Sequence, residues 1–202
     1  MPDQGPDSLA HNLYFDAGNN LPAAKLLPGE YYVTAKDMVL VTVLGSCVSA
    51  CLRDVANGMG GMNHFMLPDG DCESERPGRA ARYGVYAMEI LINSLLKMGA
   101  RRQDFEAKVF GGGNLMRSMN SSHVGRRNAE FVLEFLADEK IRVAARDLED
   151  IYPRKVYFFP HSGVVRVKKL RELSNNTIYE RESDYGNRIA RVELAADMGF
   201  VV

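Results

Sequence analysis

The residues best suited to covalent chemistry are Cys47, in Leu44-Gly45-Ser46-Cys47-Val48, and His64, in Asn63-His64-Phe65. Acyl transfer by a cysteine requires a thiolate, a base within hydrogen-bond reach and donors for the developing oxyanion. A free thiol titrates at about 8.5, so a neighbouring imidazole helps it to ionise. Gly45-Ser46 interrupts an apolar run and reads as a sharp turn, which sets Cys47 at the end of an element. The backbone N–H groups around Gly45 and Ser46 are then candidates for the oxyanion. His64 follows 17 residues later, after a Gly-rich turn. If 47–52 and 62–67 are adjacent antiparallel strands, the return brings His64 beside Cys47. Hydrolysis of an acyl bond is the chemistry such a pair would do. On spacing alone a blander reading stands beside it: a buried cysteine is often only a small hydrophobe, and a single histidine in an apolar strand is often a core residue.

The remaining reactive types read as structural. Cys51 sits between Ala50 and Leu52 and is expected in the core. Cys72 lies in Asp69-Gly70-Asp71-Cys72-Glu73, where acidic neighbours disfavour a thiolate. A zinc site from Cys47, Cys51 and His64 lacks a fourth ligand and the usual ligand spacing, so no metal is expected. Gly111-Gly112-Gly113 lacks the pattern of a phosphate loop and suggests close backbone packing, with substrate-channel lining the alternative. His123 and His161 sit in polar turns and are expected in solvent, and His11 lies in the lead-in. Asn128, in Arg126-Arg127-Asn128, either bonds to neighbouring loops or lies in a solvated first helical turn.

Elements must position these groups. Tyr31–Thr34 and Met38–Leu44 are β-branched, aromatic and apolar, and read as strands; the second is apolar nearly throughout, as a strand buried on both faces is. Residues 47–52 fit either a strand or a first helical turn. Residues 53–61 read as a turn, 62–67 as a strand and 68–79 as a polar loop. A helix is expected over 80–98, with Tyr83, Tyr86, Ile90, Leu91, Leu95 and Met98 on one face and Gly99 as its C-cap. A second is expected over 126–140, with Phe131, Val132, Phe135 and Leu136 inward. Strands are expected over 105–110, 141–145, 155–159 and 164–170, the last two joined at Pro160-His161-Ser162-Gly163. The reading is a mixed α/β (α+β) fold, a layered sandwich of mixed β-sheets with two main helices. Residues 1–27 read as a mobile lead-in, 28–172 as one catalytic domain and 173–202 as a C-terminal extension.

The bulk properties bound the function. The chain has 202 residues, 46% hydrophobic, and a net charge of -1, with acids and bases interspersed. That suffices for one sizeable core and supplies no basic stripe for nucleic acid. No segment approaches the roughly 18 apolar residues of a membrane span, and the polar N-terminus does not read as a secretory signal. Three cysteines are sparse and odd in number, so reduced thiols and a cytoplasmic location are expected.

In ordered blocks over residues 25–170 the sequence resembles the chemoreceptor glutamine deamidase (CheD) family. The blocks are Lys25-Leu26-Leu27-Pro28-Gly29-Glu30-Tyr31, Leu44-Gly45-Ser46-Cys47-Val48 with Cys51, Asn63-His64-Phe65-Met66-Leu67-Pro68, Arg82-Tyr83-Gly84, Lys108-Val109-Phe110-Gly111-Gly112-Gly113, Gly125-Arg126-Arg127-Asn128 and Pro153-Arg154-Lys155-Val156. The resemblance implies a cofactor-free cysteine hydrolase that converts receptor glutamines to glutamates, on a fold similar to toxin-type cysteine deamidases. Cys47 would be the nucleophile and His64 the base, and glutamyl methyl esters would be further substrates. Its partners would be the cytoplasmic domains of methyl-accepting chemoreceptors and a chemotaxis phosphatase. The alternative is a non-catalytic adaptor that docks on the same partners.

The family pattern also carries an orienting Thr a few residues before the cysteine. A gapless alignment puts Val41 there in some relatives, with Thr42 one place off, and strand alternation turns Thr42 to the opposite face. Thr42 is the candidate, and the position is left open. A second departure is Asp147-Leu148-Glu149-Asp150, where many relatives have Asp-Leu-Gly-Gly, which leads us to expect a different loop conformation and charge. The tail after about Ser174 is read as lying beyond the resemblance.

Overall fold

The computed structural model describes residues 8–67, 79–114, 124–171 and 176–197. Its elements, in chain order, are β1 (Ser8–Leu9), β2 (Asn12–Asp16), β3 (Leu21–Leu26), β4 (Glu30–Thr34), β5 (Val39–Leu44), β6 (Val48–Asp54), β7 (Met59–His64), α1 (Arg79–Lys97), a 3-10 turn (Arg102–Asp104), β8 (Phe105–Gly111), α2 (Val124–Asp138), β9 (Arg142–Leu148), β10 (Arg154–Phe159), β11 (Val164–Lys169) and α3 (Asn176–Asp197). The strands form two mixed sheets, in the orders β1-β4-β7-β6-β8-β9 and β11-β10-β5-β3-β2. The expected layered α/β sandwich is thus present, with three helices among the described residues where two main ones were expected.

Side-chain alternation along β7 defines the layers. Asn63 reaches α1, its Nδ2 donating to the Ala87 carbonyl at 3.0 Å. His64, one residue on, turns the other way and meets Thr42 of β5 in the second sheet. The first sheet is therefore sandwiched between the helices and the second sheet. β5 is apolar except at Thr42, and side chains on both its faces are buried. Leu40 and Leu44 join the main core, while Val39 and Val41 pack with Ala23 against Tyr157 and Phe159 on the outer face.

The buried stripe of α1 is Tyr83, Ala87, Met88, Leu91, Ile92 and Leu95. Tyr86 and Met98, expected inward, are exposed, because the stripe is rotated toward the Ala87 and Met88 side. Removing each of its leucines from water contributes about 2 kcal/mol. Gly99, at φ 100, closes the helix, with Ala100 N donating to the Leu95 carbonyl at 3.0 Å.

Residues 48–54, left between strand and helix by pattern, form β6. Its return to β7 is a four-residue turn governed by Asp54, which accepts from Ala56 N, Asn57 N and Arg101 N. The N-terminal reading is corrected. Residues 8–26, expected as a mobile lead-in, form β1, β2 and β3, and β3 lies inside the second sheet between β2 and β5. Ala23, Ala24 and Leu26 are buried there. Small residues and Pro22 conceal a strand whose stability comes from its neighbours rather than from its own propensity. The polar loop with Cys72, and His123, lie outside the described residues. No helix is long and apolar enough to cross a membrane, among the described residues.

Candidate active site

The β6–β7 hairpin does bring the cysteine and histidine together. Cys51 lies opposite Met62, and Val48 and Phe65 exchange backbone bonds of 2.9 and 3.0 Å. This register faces Ser49 with His64, so Cys47, two residues before Ser49, lies on the same side of the sheet as the imidazole. That side looks onto β5. Cys47, His64 and Thr42 are all buried.

Thr42 is on the histidine's face of β5, and Val41 is not. The Thr42 Oγ1 stands 2.7 Å from His64 Nδ1 and donates its own proton to the Leu26 carbonyl at 2.9 Å. A hydroxyl whose proton is committed to a carbonyl can only accept from the ring. Nδ1 therefore carries hydrogen, and Nε2 holds the lone pair. Among the described residues, Nε2 is buried with no hydrogen-bond partner. Burial holds the imidazole down, to about 4, although the Glu182 charge opposes the shift. The histidine is neutral, with its basic nitrogen free.

Neighbouring loops fix the cysteine backbone. Gly112 N donates to the Cys47 carbonyl at 2.8 Å and Gly113 N to the Gly45 carbonyl at 2.7 Å. Gly111 sits at φ 111, and a Cβ there would lie 2.2 Å from the Cys47 carbonyl oxygen. The glycine run is thus close backbone packing against the cysteine loop. Asn128 is buried in α2. It donates to the Ser46 carbonyl and accepts from Leu67 N, both at 2.9 Å, so the bonding alternative holds there rather than a solvated turn. Arg154, also buried, donates to the carbonyls of Gly111, Asp147 and Glu149. Glu149 and Asp150 sit at φ 62 and 72, a left-handed backbone that glycine adopts freely.

The unexpected member is Glu182, from α3. Its Oε1 accepts from Gly45 N at 2.8 Å and from Cys47 N at 3.2 Å. Its Oε2 accepts from Ser46 N and Ser46 Oγ, both at 2.7 Å. Gly45 and Ser46, expected around an oxyanion, do form an anion cradle, and a carboxylate fills it. Burial pushes the Cys47 thiol well up, and the charge and hydrogen bond of Glu182 add to that shift.

Cys47, His64 and Glu182 present donor atoms within 4.8 Å of one another. The set would suit a soft divalent cation, but the carboxylate is already saturated by four protein donors. Cys51 is buried elsewhere along β6 and is not in this cluster. Sequence reading missed α3 because its stripe of Ile178, Glu182, Tyr185 and Ile189 contains a charge. Spacings of four, three and four residues were the available signal.

A family model described as CheD chemotactic sensory transduction matches residues 66–169. The chain is 57% identical over 199 residues to a probable chemoreceptor glutamine deamidase CheD of Janthinobacterium sp. (strain Marseille), covering 98% of each chain. It is 58% identical over 193 residues to a protein of the same description from Herminiimonas arsenicoxydans, covering 95% of each. It is 60% identical over 192 residues to a probable chemoreceptor glutamine deamidase CheD 1 of Dechloromonas aromatica (strain RCB), covering 95% of each. An alignment spanning 98% of the chain reaches past Ser174, so the likeness includes the tail that was read as lying beyond it. Among solved structures, the hypothetical protein YfiH of Bacillus licheniformis superposes with a TM-score of 0.37 at 12% identity, over 59% of this chain and 49% of that one.

Proposed function

This chain belongs to the CheD family, and from that premise we propose that it deamidates chemoreceptor glutamines, with Cys47 as nucleophile and His64 as base. The observation that carries the residue assignment is the Leu26–Thr42–His64 chain of hydrogen bonds, which leaves Nε2 unprotonated in an imidazole that has a ring nitrogen within 4.8 Å of the cysteine sulfur.

In this reading, His64 Nε2 takes the thiol proton and Sγ attacks the carboxamide carbon of a receptor glutamine. The N–H groups of Gly45, Ser46 and Cys47 receive the oxygen as it becomes an oxyanion. His64 returns the proton to departing ammonia, then activates water against the thioester. A cavity of about 30 Å³ beside His64, lined also by Leu26, Pro28, Val43 and Glu182, is large enough for a water. Thr42 keeps the imidazole in the required tautomer through both steps. A glutamyl methyl ester would follow the same route, with methanol as leaving group. The protein substrate is then the cytoplasmic domain of a chemoreceptor, which implies a cytoplasmic enzyme, and a chemotaxis phosphatase is the second partner we propose.

Incubation with receptor cytoplasmic fragments should raise the mass of modified peptides by about one dalton per glutamine hydrolysed through the thioester. Cys47→Ala should abolish the change. No change with the wild type, or an equal change with Cys47→Ala, defeats the proposal.

A further inference from the structure

We infer that α3 lies in the groove that receives the glutamine-bearing segment of the substrate, and that Glu182 occupies the reaction centre as a tethered copy of the product. The inference rests on the deamidase reading above and names the ligand of that site within the chain itself.

Deamidation turns a glutamine side chain into a glutamate side chain. The group in the cradle is a glutamate side chain, carried on a helix. Its carboxylate takes all three backbone N–H groups of Gly45, Ser46 and Cys47 and the Ser46 hydroxyl, at 2.7 to 3.2 Å. The Gly45 and Ser46 donors, at 2.7 to 2.8 Å, stand at the distance required of oxyanion donors. A carboxylate held only to cap a loop would not need to stand beside both the Cys47 thiol and the His64 imidazole, whose Nε2 has no partner among the described residues.

The remainder of α3 shows how a helix is read. Tyr185 and Ile189, three and seven residues after Glu182, are buried on the same face, and the Tyr185 hydroxyl bonds to that of Tyr83 on α1. The groove therefore selects a helix with an aromatic or aliphatic residue at the third and seventh positions after the reacting one. While α3 is docked, no substrate reaches Cys47, and the thiol faces a buried negative charge. Turnover requires α3 to leave.

If Glu182 stands where a product stands, then glutamine at 182 stands where a substrate stands. In Glu182→Gln, Sγ of Cys47 bonds to the carboxamide carbon, the C–N bond breaks, and ammonia departs with the proton that His64 took from the thiol. Water then adds to the thioester, the C–S bond breaks, and a proton returns to the sulfur. The net change is carboxamide and water to carboxylate and ammonium.

Peptide mapping of full-length Glu182→Gln should read glutamate at 182, and mapping of the double variant with Cys47→Ala should read glutamine. Glutamine persisting at 182 in a preparation that deamidates receptor fragments overturns the inference. Independently, Glu182→Ala should raise the rate of iodoacetamide alkylation at Cys47 by about tenfold or more, because several charge-assisted bonds that hold α3 down are gone. An unchanged alkylation rate overturns the docking of α3 whatever the receptor assay shows. Faster alkylation with no receptor deamidation by either form leaves α3 as the cover and overturns the deamidase reading instead.

Discussion

Thr42 Oγ1 lies 2.7 Å from His64 Nδ1 while its own proton is committed to the Leu26 carbonyl. One hydroxyl, held between a backbone acceptor and a ring, decides which imidazole nitrogen can act as a base. A carboxylate in this position would also stabilise the imidazolium; a hydroxyl mainly orients the ring.

Thr42→Val keeps the shape and removes the acceptor. The turnover number should fall by roughly 10- to 100-fold, the scale seen when an outer partner of a working histidine is lost. Thr42→Ser should restore most of it. Steady-state kinetics of the two variants, at matched thermal stability, separates positioning from packing.

The buried imidazole makes the fold acid-sensitive. Its pKa is depressed to about 4 in the folded chain against about 6.5 unfolded. Between those values the unfolded state binds more protons, so stability is complete above pH 6.5 and is lost as pH falls toward 4. The loss attributable to His64 between pH 7 and 4.5 should be about 2–3 kcal/mol. Urea titrations of the wild type and of His64→Asn at both pH values check this, and equal losses in the two proteins contradict it.

Gly111→Ala should be much more damaging than Gly99→Ala. Both positions have positive φ, but the new Cβ meets nothing within 4 Å at Gly99 and lies 2.2 Å from the Cys47 carbonyl oxygen at Gly111. Gly99→Ala should cost about 1 kcal/mol of left-handed strain. Gly111→Ala adds overpacking and should cost about 3 kcal/mol or more. Chemical denaturation measures both. The Gly111 variant should also lose activity beyond its instability, since the clash displaces the cysteine backbone.

Glu149→Gly should stabilise the protein by about 0.5–1 kcal/mol, the left-handed strain relieved less the added freedom of the unfolded chain. Asp150→Gly should gain less, because it also removes the 2.7 Å ion pair with Lys169. Melting temperatures of the two single variants rank them.

Much of the site is local in the chain and was legible there. Gly45-Ser46 breaks a doubly buried strand, and a Gly-rich turn returns the chain, so the Cys47–His64 encounter follows from a hairpin. Neighbouring strands joined by a short turn need no long-range information to pair. Helices α1 and α2 and the β10–β11 hairpin follow from periodicities that a sequence displays directly. β3 did not, since its alanines and proline carry little strand preference of their own.

By itself, the sequence determined the family, through its ordered blocks of residues, and most of the elements, through period and short connections, and it singled out Cys47 and His64 as the candidate pair. Only the tertiary structure decided which face of β5 meets His64, and therefore that Thr42, not Val41, fixes its tautomer. A strand's two faces are equivalent until another sheet packs on one of them. The same holds for Glu182, 135 residues from Cys47 along the chain. A charge in an amphipathic stripe reads as solvated until the backbone donors that bury it are brought to it from elsewhere in the fold.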